Sequence, residues 1–456
     1  MLAWGVLARI ALVFALFPPT FAQSGGGSAG TPSAGPEAWN LYYQATSIGM
    51  THGSFPALYS GPLSLFNHPE ADVSLTSTIF LGFRWKGVEF YGDPELAGGR
   101  AFSNGNGLAN SVNGELPRID TATPKPYIAR AYATYSFGFG DATETVESGP
   151  NQLAGVIPRT RYSISFGRFS ITDFFDDNRY SHDPRTQFMG WAAMYNGAWD
   201  YPADTRGYTW GLVHQFYTPN WRFSFAGALM PRTANGPRFD RRIFVNQGTV
   251  YEVDHFHQIH GHKGAIRVLA YQNRANAGNY AEAIKLGATT GTTPDVTATR
   301  KNGTLKYGVG ISWDQEISDD VGVFGRLGWN DGKTESFAFT AMDRLASAGV
   351  SVSGSRWRRK NDVAASLITF GGVSGVHAVY LSKGGLDFLI GDGALNYGPE
   401  TVWESYYSAQ VFKWFWVGPD FQRIVNPAYN RDRGPLWAES LRLHMELNKD
   451  MLPKRH

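Results

Sequence analysis

The chain has 456 residues, a formal net charge of +2 and no cysteine, with 53 glycines and 14% aromatic residues. Near neutrality removes the electrostatic case for nucleic acid, and the absence of thiols excludes disulfides and thiolate metal centres. Abundant glycine combined with abundant aromatics suits an all-β protein with many turns and aromatic girdles, and suits a helical protein poorly.

Residues 1–22 read as a secretory signal. Arg9 precedes the apolar run Ile10 to Phe17, then Pro18-Pro19 and a small-residue cleavage site at Thr20-Phe21-Ala22. That run is too short to span a bilayer as a helix, and no later stretch reaches the roughly 18 apolar residues a membrane helix needs. Residues 23–38 form a Gly/Ser/Pro-rich leader without core-forming residues. Residues 39–447 carry the domain proper, and 448–456 a short tail.

From Trp39 onward, segments of about ten residues alternate apolar and polar positions between turn residues. Val73, Leu75, Ile79, Leu81 and Phe83 oppose Asp72, Ser74, Thr76, Thr78 and Arg84. Leu305, Tyr307, Val309, Ile311 and Trp313 oppose Lys306, Gly308, Gly310, Ser312 and Asp314. Val321, Val323, Leu327 and Trp329 oppose Arg326 and Asn330, and Leu441, Leu443, Met445 and Leu447 oppose Ser440, Arg442, His444 and Glu446. A strand sends successive side chains to opposite faces, so each segment is a two-faced strand.

The links between segments alternate in length. Short ones fall at Lys86-Gly87, Thr218 to Asn220, Gly261 to Lys263, Glu316 to Asp320, Gly371 to Val373 and Trp414. Long ones are Pro94 to Pro126, Pro231 to Gly248, Arg274 to Gly303, Asp331 to Lys360, Lys383 to Val402 and Asn426 to Leu436. Taking Phe169 to Thr205 as one long excursion, the count is about sixteen strands, the even number of an antiparallel transmembrane β-barrel with short periplasmic turns and long extracellular loops. Such a barrel leaves a water-filled lumen, and its closure is required because an unpaired backbone group in lipid is costly. Trp85, Trp221, Trp313, Trp329, Trp414, Trp416 and Trp437 sit near strand ends as candidate girdle residues.

The polar face then meets the lumen. It carries Arg84, Arg130, Arg161, Arg222, Arg267, Arg326 and Arg442, with Glu89 and Tyr132 among them. Guanidinium groups donate in several directions, carboxylates accept, and an aromatic ring stacks on the apolar face of a pyranose, so the set suits transient contact with sugar hydroxyls. Each charge alone also hydrates the wall; as a ring they would set selectivity. Phe169 to Thr205 concentrates Asp173, Asp176, Asp177, Arg179, Arg185 and Trp199 outside any strand pattern. So many aromatics would form an apolar patch in water, so the segment is expected to fold inward as a constriction.

Enzyme readings fare less well. Asp176 and Asp177 are adjacent, with no second carboxylate fixed by spacing for glycoside chemistry. His255 and His257 share a strand face, but His260 and His262 flank a turn, so no metal set is defined. The Gly-x-Ser-x-Gly match at Gly26 to Gly30 lies in the leader, without the strand and helix of a nucleophile elbow. No catalytic residue, metal or cofactor is expected. A polysaccharide-export channel, an outer-membrane enzyme and a secreted glycan-binding protein are the rival readings.

Several stretches resemble the carbohydrate-selective porin family of the OprB type. They include Asp93-Pro94-Glu95-Leu96-Ala97-Gly98-Gly99, Phe174-Phe175-Asp176-Asp177-Asn178, Ser181-His182-Asp183-Pro184-Arg185-Thr186-Gln187-Phe188 and Gly197-Ala198-Trp199-Asp200-Tyr201. Arg206-Gly207-Tyr208-Thr209-Trp210-Gly211 and Tyr397-Gly398-Pro399-Glu400 extend the likeness. The resemblance implies an outer-membrane barrel of about sixteen strands, passive uptake of monosaccharides or small oligosaccharides, and no cofactor. Its partners would be the transported sugars and outer-membrane lipid, with self-association into a homo-oligomer allowed for. One departure is the tail Asn448 to His456, where such barrels are expected to end on an aromatic residue.

Overall fold

The computed structural model describes residues 36–116 and 122–451. The signal expected at 1–22, most of the leader and the last residues of the tail lie outside these. Sixteen antiparallel strands form one closed barrel. The first eight are β1 (Trp39–His52), β2 (Glu70–Trp85), β3 (Val88–Gly99), β4 (Lys125–Val146), β5 (Gly155–Phe169), β6 (Thr209–Tyr217), β7 (Trp221–Leu229) and β8 (Gln247–Ile259). The rest are β9 (His262–Ala277), β10 (Lys301–Ser318), β11 (Val321–Asn330), β12 (Arg344–Ser353), β13 (Val363–Gly372), β14 (Glu400–Phe412), β15 (Phe415–Val425) and β16 (Leu436–Asn448). Each strand bonds its sequence neighbours, and β16 closes on β1 from Tyr42↔Asn448 to His52↔Ala438. Closure pairs the backbone groups that an open edge would leave unmet in lipid. Among the described residues no helix is long and apolar enough to cross a membrane.

The faces fall where alternation puts them. On β10, Leu305, Tyr307, Val309 and Ile311 point outward and are exposed, while Lys306, Gly308, Gly310, Ser312 and Asp314 point inward and are buried. Trp85 and Trp221 are exposed at one end of the barrel, Trp329 and Trp437 at the other, as two girdles. Trp416 departs from that expectation: it shares the inward parity of Gly418 and Asp420, and its ring lies 5.8 Å from that of His444.

Short turns at 86–87, 218–220, 260–261, 319–320 and 413–414, with 147–154 and 354–362, lie at the end that also holds both strand termini. By the barrel rule that end is periplasmic. Two expected links are corrected. The stretch Asp331 to Lys360 is not one long link: it contains β12 and the turn that follows it. Gly371 to Val373 is not a turn, because Gly371 and Gly372 end β13 and the long connection 373–399 begins there. The β12 residues Leu345-Ala346-Ser347-Ala348-Gly349 are too alike in polarity for alternation to reveal them, and the glycine pair imitates a turn. One strand overlooked and one turn misplaced offset each other, so the count survived.

Long connections fold back into the mouth and build a core inside the barrel. Phe169, Phe175, Trp199, Tyr280, Tyr380 and Tyr429 are fully buried there. Its centre is the link from β5 to β6, residues 170–208, which lies inside the lumen as its composition predicts.

Candidate functional site

A buried loop must place its backbone polar groups, and here carboxylates place them. Glu252 on β8 accepts from the Asp176 N–H at 2.9 Å, and Glu404 on β14 accepts from the Gly190 N–H at 3.1 Å. Asp176 holds the loop to itself by accepting from the Asn196 N–H at 2.7 Å. Asp200 spreads over three amides of another extracellular connection, Phe337, Ala338 and Phe339, at 2.9, 2.7 and 3.3 Å. Arginines satisfy the carbonyls. Arg326 binds both oxygens of Asp176 at 2.9 and 3.0 Å and donates to the Ala193 carbonyl at 2.9 Å. Arg442 donates to the carbonyls of Pro184 and Gln187 at 2.9 and 2.5 Å. Glycine supplies the room: a Cβ on Gly310 or Gly328 would lie 2.3 or 2.2 Å from the Asn196 amide group.

The loop leans on the β8–β16 side and leaves space on the β2–β7 side. A cavity of about 840 Å³ runs from the periplasmic turns at Gly87 and Pro150 up to Asp173 and Arg185 on the loop. From the extracellular side a much smaller space of about 100 Å³ descends past Asn235 and Phe339. Glu115, Arg185, Met194, Tyr201, Arg206 and Tyr208 line both, so the two spaces meet there. A third cavity, about 500 Å³, lies under the other side of the loop between Arg179, Tyr406, Trp416 and His444.

At the junction Arg185 crosses from the loop to the wall. It pairs with Glu95 of β3 at 2.9 Å and with Glu115 at 2.9 Å. Glu95 also accepts from Thr78 at 2.5 Å, from Tyr208 at 3.4 Å, and from the Tyr127 hydroxyl. Arg206 stacks on Tyr127 at 4.0 Å, and Arg130 and Arg168 flank the Tyr208 ring at 5.5 and 5.6 Å. The same pairing runs down the wall: Arg130 to Asp173 at 2.5 Å and Asp93 at 3.2 Å, Arg84 to Glu89 at 2.6 Å, and Arg161 to Glu144 at 2.7 Å. Arg222 pairs with Asp254 and lies 3.7 Å from Glu252. Arg206 is the exception, with no ion pair among the described residues. Paired charges keep their hydrogen-bonding edges while their distant fields cancel, which favours neutral polyhydroxy solutes over ions. The net basic ring expected from the arginines alone is thereby neutralised.

The expected site residues separate into three groups. Arg84, Glu89, Arg130, Tyr132, Arg161, Asp173, Arg185 and Arg222 line the large cavity, and Arg179 and Arg185 line the third. Asp177 is exposed on the loop within electrostatic reach of His182, Arg222, Arg267 and Arg326. Asp176, Trp199, Arg267, Arg326 and Arg442 line none of these cavities and are buried. Arg267 is taken by Asp314 at 2.6 Å. Trp199 packs against Phe175 and Tyr201 in the loop core.

Glu95, Glu115, Tyr127, Arg206 and Tyr208 were not among the expected residues. Tyr127 escapes strict alternation because the β3–β4 register shifts after Asp93: Arg130 faces Asp93, Ile128 faces Pro94, and Ala129 is left over. The extra residue turns both Tyr127 and Arg130 inward and sends Ile128 outward. The cue was Asp93-Pro94, since proline cannot donate to a ladder and marks such irregularities.

A closed barrel whose lumen is narrowed by an inserted, charge-pinned loop defines a general porin architecture. Residues 81–447 match the carbohydrate-selective porin, OprB family, and the chain belongs to that family. It is a carbohydrate porin of the bacterial outer membrane, and its family and fold are those of channels. The structure is similar to the high-pH structure of Pseudomonas putida OprB, with TM-score 0.66 and 16% identity over 90% of this chain and 94% of that one. Pseudomonas aeruginosa OccK2 gives TM-score 0.44 and 10% identity over 90% of this chain and 98% of that one. No curated protein sequence matches the chain.

Proposed function

We propose that monosaccharides and small oligosaccharides diffuse passively past the Glu95–Arg185–Glu115 bridge, with Tyr127, Tyr208 and Arg206 as the contacts that choose them. The observation that carries this reading is that Arg185, held between two carboxylates, sits where the extracellular and periplasmic spaces meet. Guanidinium and carboxylate edges exchange bonds with sugar hydroxyls. Because Arg185, Glu95 and Glu115 already have partners, a solute trades bonds with them instead of gaining them all, which keeps residence short enough for throughput. The outward apolar belt contacts outer-membrane lipid, and residues 1–22 direct export. Liposome swelling with a graded sugar series tests the reading. Swelling should be fast for hexoses and fall steeply as the chain of sugar units grows. Absence of swelling with hexoses, in vesicles whose protein shows heat-modifiable migration on gels, would overturn it.

A further inference from the structure

The most exposed large apolar side chain of the described residues lies far from the lumen. Phe244, in the connection from β7 to β8, is 93% exposed, and its neighbours Ile243 and Val245 are 44% and 42% exposed. A free loop would fold such a tip away or leave it mobile, but this one is mounted. Asn246, fully buried, donates to Asp240 at 2.7 Å and to Asn302 at 3.2 Å, and accepts from the Gly303 N–H at 2.8 Å. Asp240 also holds Arg242, which it meets at 2.9 and 2.5 Å. The tip is therefore fixed over the extracellular end of β10, beyond the outward aromatics Tyr307 and Trp329.

The surroundings are basic. Arg238 and Arg241 precede the tip, are exposed, and make no ion pair among the described residues. Arg274 makes none either, and its position is telling. It continues the outward row Ile266, Val268, Ala270 and Gln272 of β9, opposite Gln247 on one side and near Leu305 on the other. An arginine on the outward face of a membrane strand is costly at mid-bilayer and favourable at headgroup level beside anions.

We propose that this rim binds the phosphorylated glycolipid of the outer leaflet. Arg241, Arg274 and Arg238 meet its phosphates, for which the planar fork of guanidinium is suited. Phe244 and Ile243 enter the boundary between headgroup and acyl chains, where aromatic side chains are favoured. The proposal rests on the outward belt meeting lipid; it does not depend on which solute the lumen passes. A second copy of this chain is the other occupant an apolar tip could have, but unpaired arginines around the tip would then face one another across a two-fold interface.

Native mass spectrometry of the full-length porin released from detergent decides the matter, with bisphosphorylated lipid A, lipid A stripped of phosphate, and phosphatidylglycerol as probes. The porin should retain bisphosphorylated lipid A in preference to the other two. Each of R238A, R241A and R274A should weaken that adduct by about fivefold, and F244S should weaken it while leaving the preference for phosphate. Conductance and heat-modifiable migration should not change, which separates loss of the site from loss of the barrel. Equal retention by the triple arginine variant, equal retention of dephosphorylated lipid, or equal retention of phosphatidylglycerol would overturn the proposal. So would dimers captured by disulfide cross-linking of F244C.

Discussion

Two sectors of the same wall carry the same kind of inward residue and use it differently. From β8 to β16 inward arginines are spent on the inserted loop at two places, Arg326 with Asp176 and Arg442 with the 184–187 carbonyls. From β2 to β7 inward charges pair along the wall and stay beside open space, as Arg84 with Glu89 and Arg130 with Asp93 show. An inward arginine is thus not yet a channel residue. What decides its role is whether the loop lies over it, and the loop covers one side only.

The sharpest way to break that contrast is Arg326→Ala. Asp176 would keep its buried charge without its cation, a loss of about 3–5 kcal/mol. Thermal unfolding in detergent should begin well below that of the unaltered protein, and single channels should show larger, noisier conductance as the loop loosens. A normal melting profile with unchanged conductance would mean that Arg326 does not hold the loop. The outward face offers the control: Ile311→Arg should cost about 2–4 kcal/mol if it sits at mid-membrane, measured by the same unfolding, with conductance of the surviving channels unaltered.

A smaller effect is expected on the open side. Arg185→Ala leaves Glu95 and Glu115 facing the passage without their cation, a loss of about 1–3 kcal/mol. Ion selectivity from reversal potentials should move toward cations, and block by hexoses should weaken by about tenfold, the equivalent of one good hydrogen bond. Unchanged selectivity would place the constriction elsewhere.

The smallest effect concerns the extracellular cap. His377, in the helix Gly375–Ser382, is buried between Asp343 at 3.0 Å and Asp387 at 3.1 Å, with the Tyr280 ring stacked 4.2 Å away. Burial alone would lower the His377 pKa, but the two carboxylates outweigh it and raise it to about 9. Burial likewise works against Asp343 and Asp387, and His377 holds both below the usual value of 3.8. A raised histidine contributes fully below its unfolded value of 6.5 and loses that contribution as pH climbs through about 9. The lowered carboxylates contribute above 3.8 and lose their share on acidification. Proteolysis of the extracellular connections should therefore accelerate between pH 7 and pH 10, a window set by the raised histidine. In His377→Gln the difference between the two pH values should disappear; persistence of the full alkaline acceleration would assign it to another group.

Alternation and turn residues carried the barrel and its lipid-facing positions, and the aromatic composition of 169–205 carried its inward fold, because each is read from neighbours in sequence. A period of two decides which side of a strand a residue takes, and the length of a link decides which end of the barrel it serves. The same local rule overlooked β12, whose residues scarcely differ in polarity, and Tyr127, whose face is set by the leftover Ala129. It could not say that Arg326 and Arg442 lie beneath the loop while Arg130 and Arg185 border open water. That division arises only when distant segments meet: Arg326 with Asp176, Arg185 with Glu95 and Glu115. Sequence fixes the face of a residue through its own backbone, whereas burial and charge partners are properties of the assembled interior.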